Sequence, residues 1–345
     1  MSQLSPWLLS ITACAGVTYF SLLVAINYLR SLALAFPNPR SGHTEPTPQG
    51  AGLIVIPVVV IGTAISLWTV EEQLPFGLPS TLIACSGSFG LMLLGFADDV
   101  RGASIALRLC VQAAIVGALL FVLPTEFRVG PTVVPLIVER IFWFLTLVWF
   151  INAVNFMDGM DWMSAVETIA ISGGVILLAL FGYVDVSLGW CAAALLGATL
   201  AFMPFNAPPA RIFLGDAGSL PLGLLLGLLL LAVAVEAPGA AFILPLYYLS
   251  DTSITLASRI LRGERFWEGH REHFYQRALR NGLSVKGLIA RLALLHAVLV
   301  LLAFYCGAQS DYLLQLSAVV LALSMVGGML LRFARPLEKN INCPR

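Results

Sequence analysis

Eleven apolar stretches of about 20 residues each run through the chain and are separated by short polar segments. A bilayer core about 30 Å thick needs roughly 20 apolar residues in each spanning helix. The sequence therefore predicts an all-α polytopic membrane protein, with residues 1–345 forming one transmembrane domain. A count of ten helices is the alternative, because Glu139 and Arg140 interrupt the fifth stretch. The stretches lie near 7–29, 51–70, 80–97, 103–123, 134–153, 164–182, 187–204, 217–235, 240–260, 288–307 and 312–332.

The charge content excludes several other classes of protein. Only 11% of the residues are charged and 59% are hydrophobic, whereas soluble domains carry about 25% charged residues. The 19 basic and 19 acidic residues cancel, which argues against binding to nucleic acid. An ordinary soluble enzyme and a nucleic-acid-binding protein are both excluded.

The positions of the basic residues predict the orientation in the membrane. With eleven helices, and with helix ends counted with their adjoining loops, 17 of the 19 Lys and Arg residues fall on one side. Because loops rich in Lys and Arg stay in the cytoplasm, the N-terminus is predicted to be periplasmic and the C-terminus cytoplasmic. The predicted cytoplasmic loops lie near 30–50, 98–102, 154–163, 205–216 and 261–287.

Two of these loops carry grouped acidic residues. Asp98 and Asp99 are adjacent at the end of the third stretch, where repulsion and desolvation favour a neutralising cation. A helix end paired with Arg101 and Arg108 is the structural alternative. Asn155, Asp158 and Asp161 recur every three residues, so a helical turn would place them on one side. Their oxygen atoms suit a hard divalent cation or a polar substrate, and a turn that caps the next helix is the alternative.

A third acid, Asp216, lies in a Gly-Asp-Ala-Gly-Ser segment that precedes a long apolar stretch. The sequence predicts that Asp216 lies at a helix N-terminus, where free N–H groups favour phosphate and carboxylate groups. A simple N-cap is the alternative.

The loop after residue 261 is the most basic one. His270 and His273 are spaced so that a helix would point both in one direction. With the nearby Arg side chains they favour anion binding, since Arg recognises phosphate through two hydrogen bonds. A zinc pair and a lipid-facing basic loop are the alternatives. The first inner loop is rich in Pro and Gly, is predicted to be non-helical, and could present Arg40, Ser41 and His43 to an anionic ligand.

Taken in order, five segments resemble the polyprenyl-phosphate N-acetylhexosamine-1-phosphate transferase family, also known as glycosyltransferase family 4. They are Pro-Asn-Pro-Arg-Ser-Gly-His (37–43), Asp-Asp-Val-Arg-Gly (98–102), Asn-Phe-Met-Asp-Gly-Met-Asp (155–161), Pro-Ala-Arg-Ile-Phe-Leu-Gly-Asp-Ala-Gly-Ser (209–219) and His-Arg-Glu-His-Phe-Tyr-Gln-Arg (270–277). The last segment is similar to the O-antigen-initiating branch and less similar to phospho-MurNAc-pentapeptide translocase, which has consecutive histidines. The segments cover about 37–277.

The resemblance implies transfer of an N-acetylhexosamine 1-phosphate from a UDP-sugar to undecaprenyl phosphate, with release of UMP. It implies magnesium, with manganese as a substitute, and a site at the cytoplasmic face of the bacterial inner membrane. It leaves open the sugar (GlcNAc, GalNAc, QuiNAc or FucNAc), homodimer formation, and the choice between direct attack and a phospho-aspartate intermediate.

The resemblance also implies roles for individual residues. The catalytic acids would be Asp98, Asp99, Asp158 and Asp161, and the metal ligands Asp216 and Asn155. The substrate-binding residues would be Arg40, Ser41, His43, Arg101, Asn155, His270, Arg271 and His273.

Two positions depart from the family pattern, and other functions compete with a transferase. Trp162 stands where many members have glycine, which would put an aromatic side chain near the nucleotide pocket, and Gln49 stands where many have a basic residue or glycine. A secondary transporter is the rival from another class, and Asp251 inside the ninth stretch fits it best. An inactive homologue and a CDP-alcohol phosphotransferase are further alternatives, although Asp158-Gly159 lacks the motif of the latter.

Overall fold

The computed structural model describes residues 4–36, 45–69, 76–265 and 270–336 of the 345-residue chain, and it is almost entirely helical. A two-stranded antiparallel pair joins β1 (Leu34–Ala35) to β2 (Thr47–Pro48). In the described residues the helices are α1 (Leu4–Leu32), α2 (Gly52–Thr69), α3 (Gly77–Arg101), α4 (Ile105–Val122), α5 (Leu136–Met157), α6 (Met163–Leu180), α7 (Leu188–Phe202), α8 (Asp216–Glu236), α9 (Pro238–Ile243), α10 (Leu246–Leu261), α11 (Phe274–Arg280), α12 (Val285–Gly307) and α13 (Tyr312–Ala334).

All eleven predicted stretches are helical. Within the described residues, eight helices are long and apolar enough to cross a membrane, and α2 and α7 are shorter apolar helices. The structure therefore confirms an all-α polytopic architecture. The number of helices that span the membrane and their orientation stay predictions.

The prediction that the ninth stretch, 240–260, forms a single helix was wrong. It consists of α9 and α10, which are separated at Leu244 and Pro245. Proline has no N–H group and its ring clashes with the preceding turn, so a helix interior does not tolerate it easily. Helix α10 begins after this proline, at Leu246.

The fourth and fifth stretches are separate helices, as the count of eleven requires. Glu139, in the first turn of α5, is almost fully buried and pairs with Arg128 at 3.1 Å. Its other oxygen accepts the backbone N–H groups of Val129 at 2.6 Å and Gly130 at 3.2 Å. The charge that interrupts the apolar pattern is therefore neutralised by the connecting segment.

Helix α8 is the centre of the bundle. Nearly all of its residues are buried, and it packs against α3 and α5. Gly223 makes this packing possible, because a Cβ atom there would lie 2.7 Å from the Cα atom of Ile151. By contrast, α1, α4 and α13 expose much of their apolar surface, which suits a hydrocarbon surrounding rather than water.

The segment after β2 brings the first inner loop against the start of α8. Gln49 pairs with Phe213 in a parallel bridge, and the backbone N–H groups of Ala51 and Gly52 bond to the carbonyl oxygens of Phe213 and Leu214 at 3.1 Å. Helix α2 consequently begins beside the N-terminus of α8.

Candidate active site

Helix α8 begins at Asp216, as the sequence predicted, and Asp99 holds this helix end in place. One carboxylate oxygen of Asp99 accepts the backbone N–H of Asp216 at 3.0 Å, and the other accepts that of Ala217 at 3.1 Å. A carboxylate at this position also interacts favourably with the helix dipole. Asp99 therefore connects the end of α3 to the start of α8.

Glycine at two positions permits this close approach. At Gly95 a Cβ atom would lie 2.1 Å from the carbonyl oxygen of Asp216. At Gly215 it would lie 2.5 Å from a carboxylate oxygen of Asp99, and the φ of Gly215 is +73°, in the left-handed region that favours glycine. The small residues around Asp216 bring the backbones of α3 and α8 into contact.

Arg108 of α4 joins two of the predicted acids. Its Nη1 atom lies 2.7 Å from a carboxylate oxygen of Asp98 and 3.1 Å from one of Asp216. The other oxygen of Asp98 accepts the backbone N–H of Ala103. The structural alternative for Asp98, pairing with Arg108, is thus confirmed, and the same guanidinium group holds Asp216.

Asn155 in the last turn of α5 also contacts Asp216. Its Nδ2 atom donates to Asp216 at 2.8 Å and to the Ser219 hydroxyl at 2.9 Å. In this arrangement the amide nitrogen orients the carboxylate of Asp216. A metal-ligand role for Asn155 stays a prediction.

The prediction that Asn155, Asp158 and Asp161 share one helical face was wrong. Helix α5 ends at Met157, so the two aspartates lie in the following turn. Asp158 accepts a hydrogen bond from the Ser164 hydroxyl at 2.6 Å, and Asp161 accepts one from the backbone of Ala210 at 3.1 Å. The turn points these acids at different partners.

Trp162 ends this turn in a left-handed conformation, with φ of +66°. This conformation explains why glycine suits the position in the family pattern, since glycine adopts it without steric cost. Here the Trp162 backbone N–H donates to Asn206 at 2.7 Å, and its indole N–H donates to the carbonyl of Met203 at 2.9 Å. The first bond fixes the Trp162 backbone and the second its side chain to the segment that follows α7.

The acidic groups at this end of the bundle affect one another. Removal from water raises the pKa of Asp158 to about 8, and the negative charges of Asp216 and Asp99 act in the same direction, against the Ser164 hydrogen bond. Asp158 therefore belongs to the same electrostatic cluster as Asp99 and Asp216. We call Asp98, Asp99, Asp158 and Asp216 the acidic cluster, and Arg108 is the cation that contacts two of its members, Asp98 and Asp216.

His270 and His273 do come together, although no helix arranges them. Helix α11 begins at Phe274, so both histidines precede it, and their rings stack with centroids 4.9 Å apart. His270 Nδ1 accepts the backbone N–H of Glu272 at 3.3 Å, which leaves the proton on Nε2. Burial and the positive charges of His273 and Arg259 lower the pKa of His270 to about 4.

Tyr275 connects this histidine segment to the acidic turn. It is fully buried, and a Cβ atom at Gly159 would lie 2.3 Å from its hydroxyl oxygen. Burial raises the pKa of Tyr275, the charges of Asp251 and Asp158 raise it further, and Arg271 opposes them. Arg271 and Asp158 therefore both lie near Tyr275, so the two predicted motifs form one region.

Some predicted residues cannot be placed in the cluster. Arg40, Ser41 and His43 lie outside the described residues. Arg101 is exposed in the last turn of α3. Gln49 is close, because its Nε2 atom donates to the backbone carbonyl of Asp99 at 2.9 Å.

The donor chemistry of the cluster fits a magnesium ion. Asp98, Asp158 and Asp216 offer carboxylate oxygens, which Mg²⁺ prefers. No group of three or more His, Cys, Asp or Glu side chains in the described part of the chain is arranged to hold a metal ion. Mg²⁺ commonly uses only one or two carboxylates together with substrate phosphates, so a magnesium site completed by substrate stays a prediction.

The sequence did not predict several contacts in this region. Ser164, six residues beyond Asp158, donates to that acid, and Ser219, three residues beyond Asp216, accepts from Asn155. In the sequence, Asp251 was the residue that best fitted a transporter. In the structure its carboxylate lies 3.0 Å from Nδ1 of His273. Glu167 of α6 pairs with His296 of α12 inside the bundle. Such pairings depend on tertiary contacts, and only the serines next to the acidic motifs gave a local signal.

Comparisons with known proteins identify the family. The model for glycosyl transferase family 4 matches residues 81–234. A probable undecaprenyl-phosphate N-acetylglucosaminyl 1-phosphate transferase of Bacillus subtilis is 25% identical over 332 residues, which cover 88% of this chain and 83% of that protein. A phospho-N-acetylmuramoyl-pentapeptide-transferase of Rhodopseudomonas palustris strain BisB18 is 31% identical over 259 residues, covering 64% of this chain and 70% of the relative.

The apolar helical bundle and these matches together indicate a transferase located in the membrane. The chain belongs to glycosyl transferase family 4, the family of polyprenyl-phosphate N-acetylhexosamine-1-phosphate transferases.

Proposed function

We propose that this protein transfers N-acetylhexosamine 1-phosphate from a UDP-sugar to undecaprenyl phosphate and releases UMP. The step would start O-antigen or another cell-surface polysaccharide. The observation that carries the proposal is that polar side chains from three separate motifs converge on one end of the bundle. Asp98 and Asp216 bind Arg108, Asn155 donates to Asp216, and Asp158 is close enough for the charge of Asp216 to raise its pKa.

The chemistry of the reaction agrees with this arrangement. An oxygen of the lipid phosphate attacks the β-phosphorus of the UDP-sugar, the bond to the bridging oxygen breaks, and UMP leaves. Both substrates are anionic, so catalysis depends on positioning and on charge neutralisation. A site at the helix ends suits a lipid whose phosphate group lies at the membrane surface.

Individual residues divide this work. Arg108 supplies positive charge next to Asp98 and Asp216, while Asp99 and Asn155 fix Asp216 in place. Beside the acidic turn, Arg271 provides positive charge, and the two stacked histidines provide ring nitrogens that can hydrogen-bond to the phosphates or the sugar.

We further propose Mg²⁺, replaceable by Mn²⁺, as the cofactor, with Asp216 as its main protein ligand and the nearby carboxylates assisting. When bound, the ion supplies neutralisation of phosphate charge and a template for the two substrates. The site is proposed to lie at the cytoplasmic face of the bacterial inner membrane, in agreement with the distribution of Lys and Arg.

The assay uses the purified full-length protein in detergent with undecaprenyl phosphate, magnesium and a panel of UDP-GlcNAc, UDP-GalNAc, UDP-QuiNAc and UDP-FucNAc. We expect release of UMP with at least one donor, and the preferred donor identifies the sugar. Omission of undecaprenyl phosphate is the control. Absence of UMP with every donor, where a relative works under the same conditions, would refute the enzyme proposal and favour an inactive homologue.

The structure gives the rival transporter no specific support. Asp251, the residue that fitted transport best, has its carboxylate engaged by the segment around His273 and α11. The motif acids lie at one end of the bundle and not at its middle, where coupling sites of transporters lie.

A further inference from the structure

Asp251 of α10 is a buried carboxyl group surrounded by hydrogen-bond donors. Its side chain is 0% exposed. One oxygen accepts the backbone N–H of Phe274 at 3.0 Å and the Thr255 hydroxyl at 3.3 Å. The other accepts the backbone N–H of Tyr275 and the Tyr247 hydroxyl, both at 3.2 Å. Because every one of these partners donates, the group acts as an acceptor.

His273 is the fifth partner, and its bond to Asp251 is the one with consequences for the site. Its Nδ1 atom lies 3.0 Å from the same oxygen that accepts from Phe274. An acceptor at that position requires the proton of the imidazole to be on Nδ1. The nitrogen that Asp251 does not engage is then Nε2, on a side chain that is 4% exposed. Nε2 accepts from a hydroxyl group when the ring is neutral and donates to phosphate when the ring is charged.

The two stacked histidines consequently differ in tautomer. His270 receives an N–H group at Nδ1, so its proton is on Nε2, whereas His273 carries its proton on Nδ1. The His273 ring lies between His270 and Tyr275, with centroid distances of 4.9 and 5.9 Å. Stacking fixes the plane of the His273 ring, and the carboxylate fixes its rotation within that plane.

We propose that Asp251 is a positioning residue that sets the tautomer and the orientation of His273 for contact with the phosphate or sugar part of the substrate. The proposal rests on the proposed function for its catalytic consequence. The bond between the two side chains can be tested without any activity.

The test begins with the unsubstituted protein, labelled with ¹⁵N at its four histidines. The spectra of His273→Gln and His270→Gln assign two of the signals. We expect the protonated nitrogen of His273 to be Nδ1 and that of His270 to be Nε2. In Asp251→Asn we expect the His273 proton to move to Nε2, since an amide N–H can then face Nδ1. A proton on Nε2 alone in the His273 of the unsubstituted protein would overturn the proposal, even where the Asn variant does not fold.

Turnover gives the second readout. Loss of a carboxylate that orients a metal-bound histidine costs about 10- to 100-fold in activity, and we expect a loss of comparable size in kcat for Asp251→Asn. In a His273→Gln background the same change should cost less than about threefold, because residues that act through one another are not additive. Equal losses in the two backgrounds would show a purely structural role and overturn the proposal.

Tyr247→Phe is the matched control. It removes one donor to Asp251 and leaves the bond to His273 in place. We expect the His273 tautomer to stay unchanged and kcat to stay within about threefold of the parent. An unsubstituted protein that releases no UMP would refute the proposed function alone, because the tautomer measurement would still decide the role of Asp251.

Discussion

At the residue scale, the account depends on Asp216. Its carboxylate contacts Arg108 of α4 and Asn155 of α5, and its backbone N–H is held by Asp99 of α3. Four helices therefore determine where one carboxylate points. Such support is what a positioned phosphoryl-transfer centre requires.

The first prediction concerns Asp216→Asn. The amide keeps the size of the side chain and leaves the backbone bonds to Asp99, but it removes the negative charge proposed to bind magnesium. We expect kcat to fall at least about 100-fold at saturating magnesium, measured as UMP release, since a metal ion supplies several kcal/mol of charge stabilisation.

Asp311→Asn is the control for that change. Asp311 also serves a helix N-terminus, because it accepts the N–H of Leu313 at 2.7 Å, but it does so at the start of α13, away from the acidic cluster. Turnover within about twofold of the parent is expected there. Equal turnover of Asp216→Asn and the parent would contradict the metal assignment.

The second prediction concerns pH and His270. Its pKa of about 4 in the folded protein lies below the ordinary value of 6.5 because of burial and the nearby charges of His273 and Arg259. Between these values the unfolded chain binds a proton that the folded chain does not, so stability falls as pH decreases from about 6.5 to about 4. At pH 7 the contribution is fully present.

His270→Gln should remove this contribution. We expect its apparent unfolding temperature in detergent to fall less than that of the parent between pH 7 and pH 5. Identical changes in the two proteins would show that His270 has an ordinary pKa in the folded protein.

At the element scale, the contact between α3 and α8 controls the geometry of the site. Gly95 lies against the backbone of Asp216, and a methyl group there would have to displace backbone rather than a flexible side chain. The spacing of these two helices therefore fixes where Asp99 meets the start of α8.

The third prediction is that Gly95→Ala destabilises the protein by about 1–3 kcal/mol and lowers turnover, because overpacking pushes α8 away from α3. The readouts are the apparent unfolding temperature and UMP release. Gly173→Ala in α6 is the control, since no atom lies within 4 Å of a Cβ placed there. Similar stability of the two variants would contradict the close packing of α3 and α8.

The same elements show what the sequence could and could not predict. The start of α8 at Asp216 was predictable because glycines and a long apolar stretch mark it locally. The shared helical face of Asn155, Asp158 and Asp161 was wrong, because α5 ends at Met157 and a left-handed Trp162 gives no local signal. The link from Asp251 to His273 crosses 22 positions, and no periodicity predicts such a contact.

At the scale of the whole molecule, orientation is the prediction that the structure leaves for experiment. The distribution of Lys and Arg predicts that the acidic cluster faces the cytoplasm and that the loop between α4 and α5 faces the periplasm. Glu126 in that loop is exposed, and Arg280 at the end of α11 is exposed beside the histidine segment. Labelling at these two positions therefore tests opposite sides of the membrane.

The fourth prediction uses Glu126→Cys and Arg280→Cys in a chain whose six native cysteines are replaced by alanine. In spheroplasts, a membrane-impermeant maleimide should label Glu126→Cys, whereas Arg280→Cys should react only after lysis. The reverse pattern would place the cluster on the periplasmic side and contradict the use of a cytoplasmic nucleotide sugar.

The central claim is that the cluster transfers a sugar together with its phosphate. The most direct measurement follows a UDP-sugar labelled with ³²P at the β-phosphate, incubated with the purified protein, undecaprenyl phosphate and magnesium. The account predicts that the label appears in the lipid fraction, in equal amount to the UMP released. Label that appears in UDP, or that remains in the donor while a relative transfers it under the same conditions, would contradict the account.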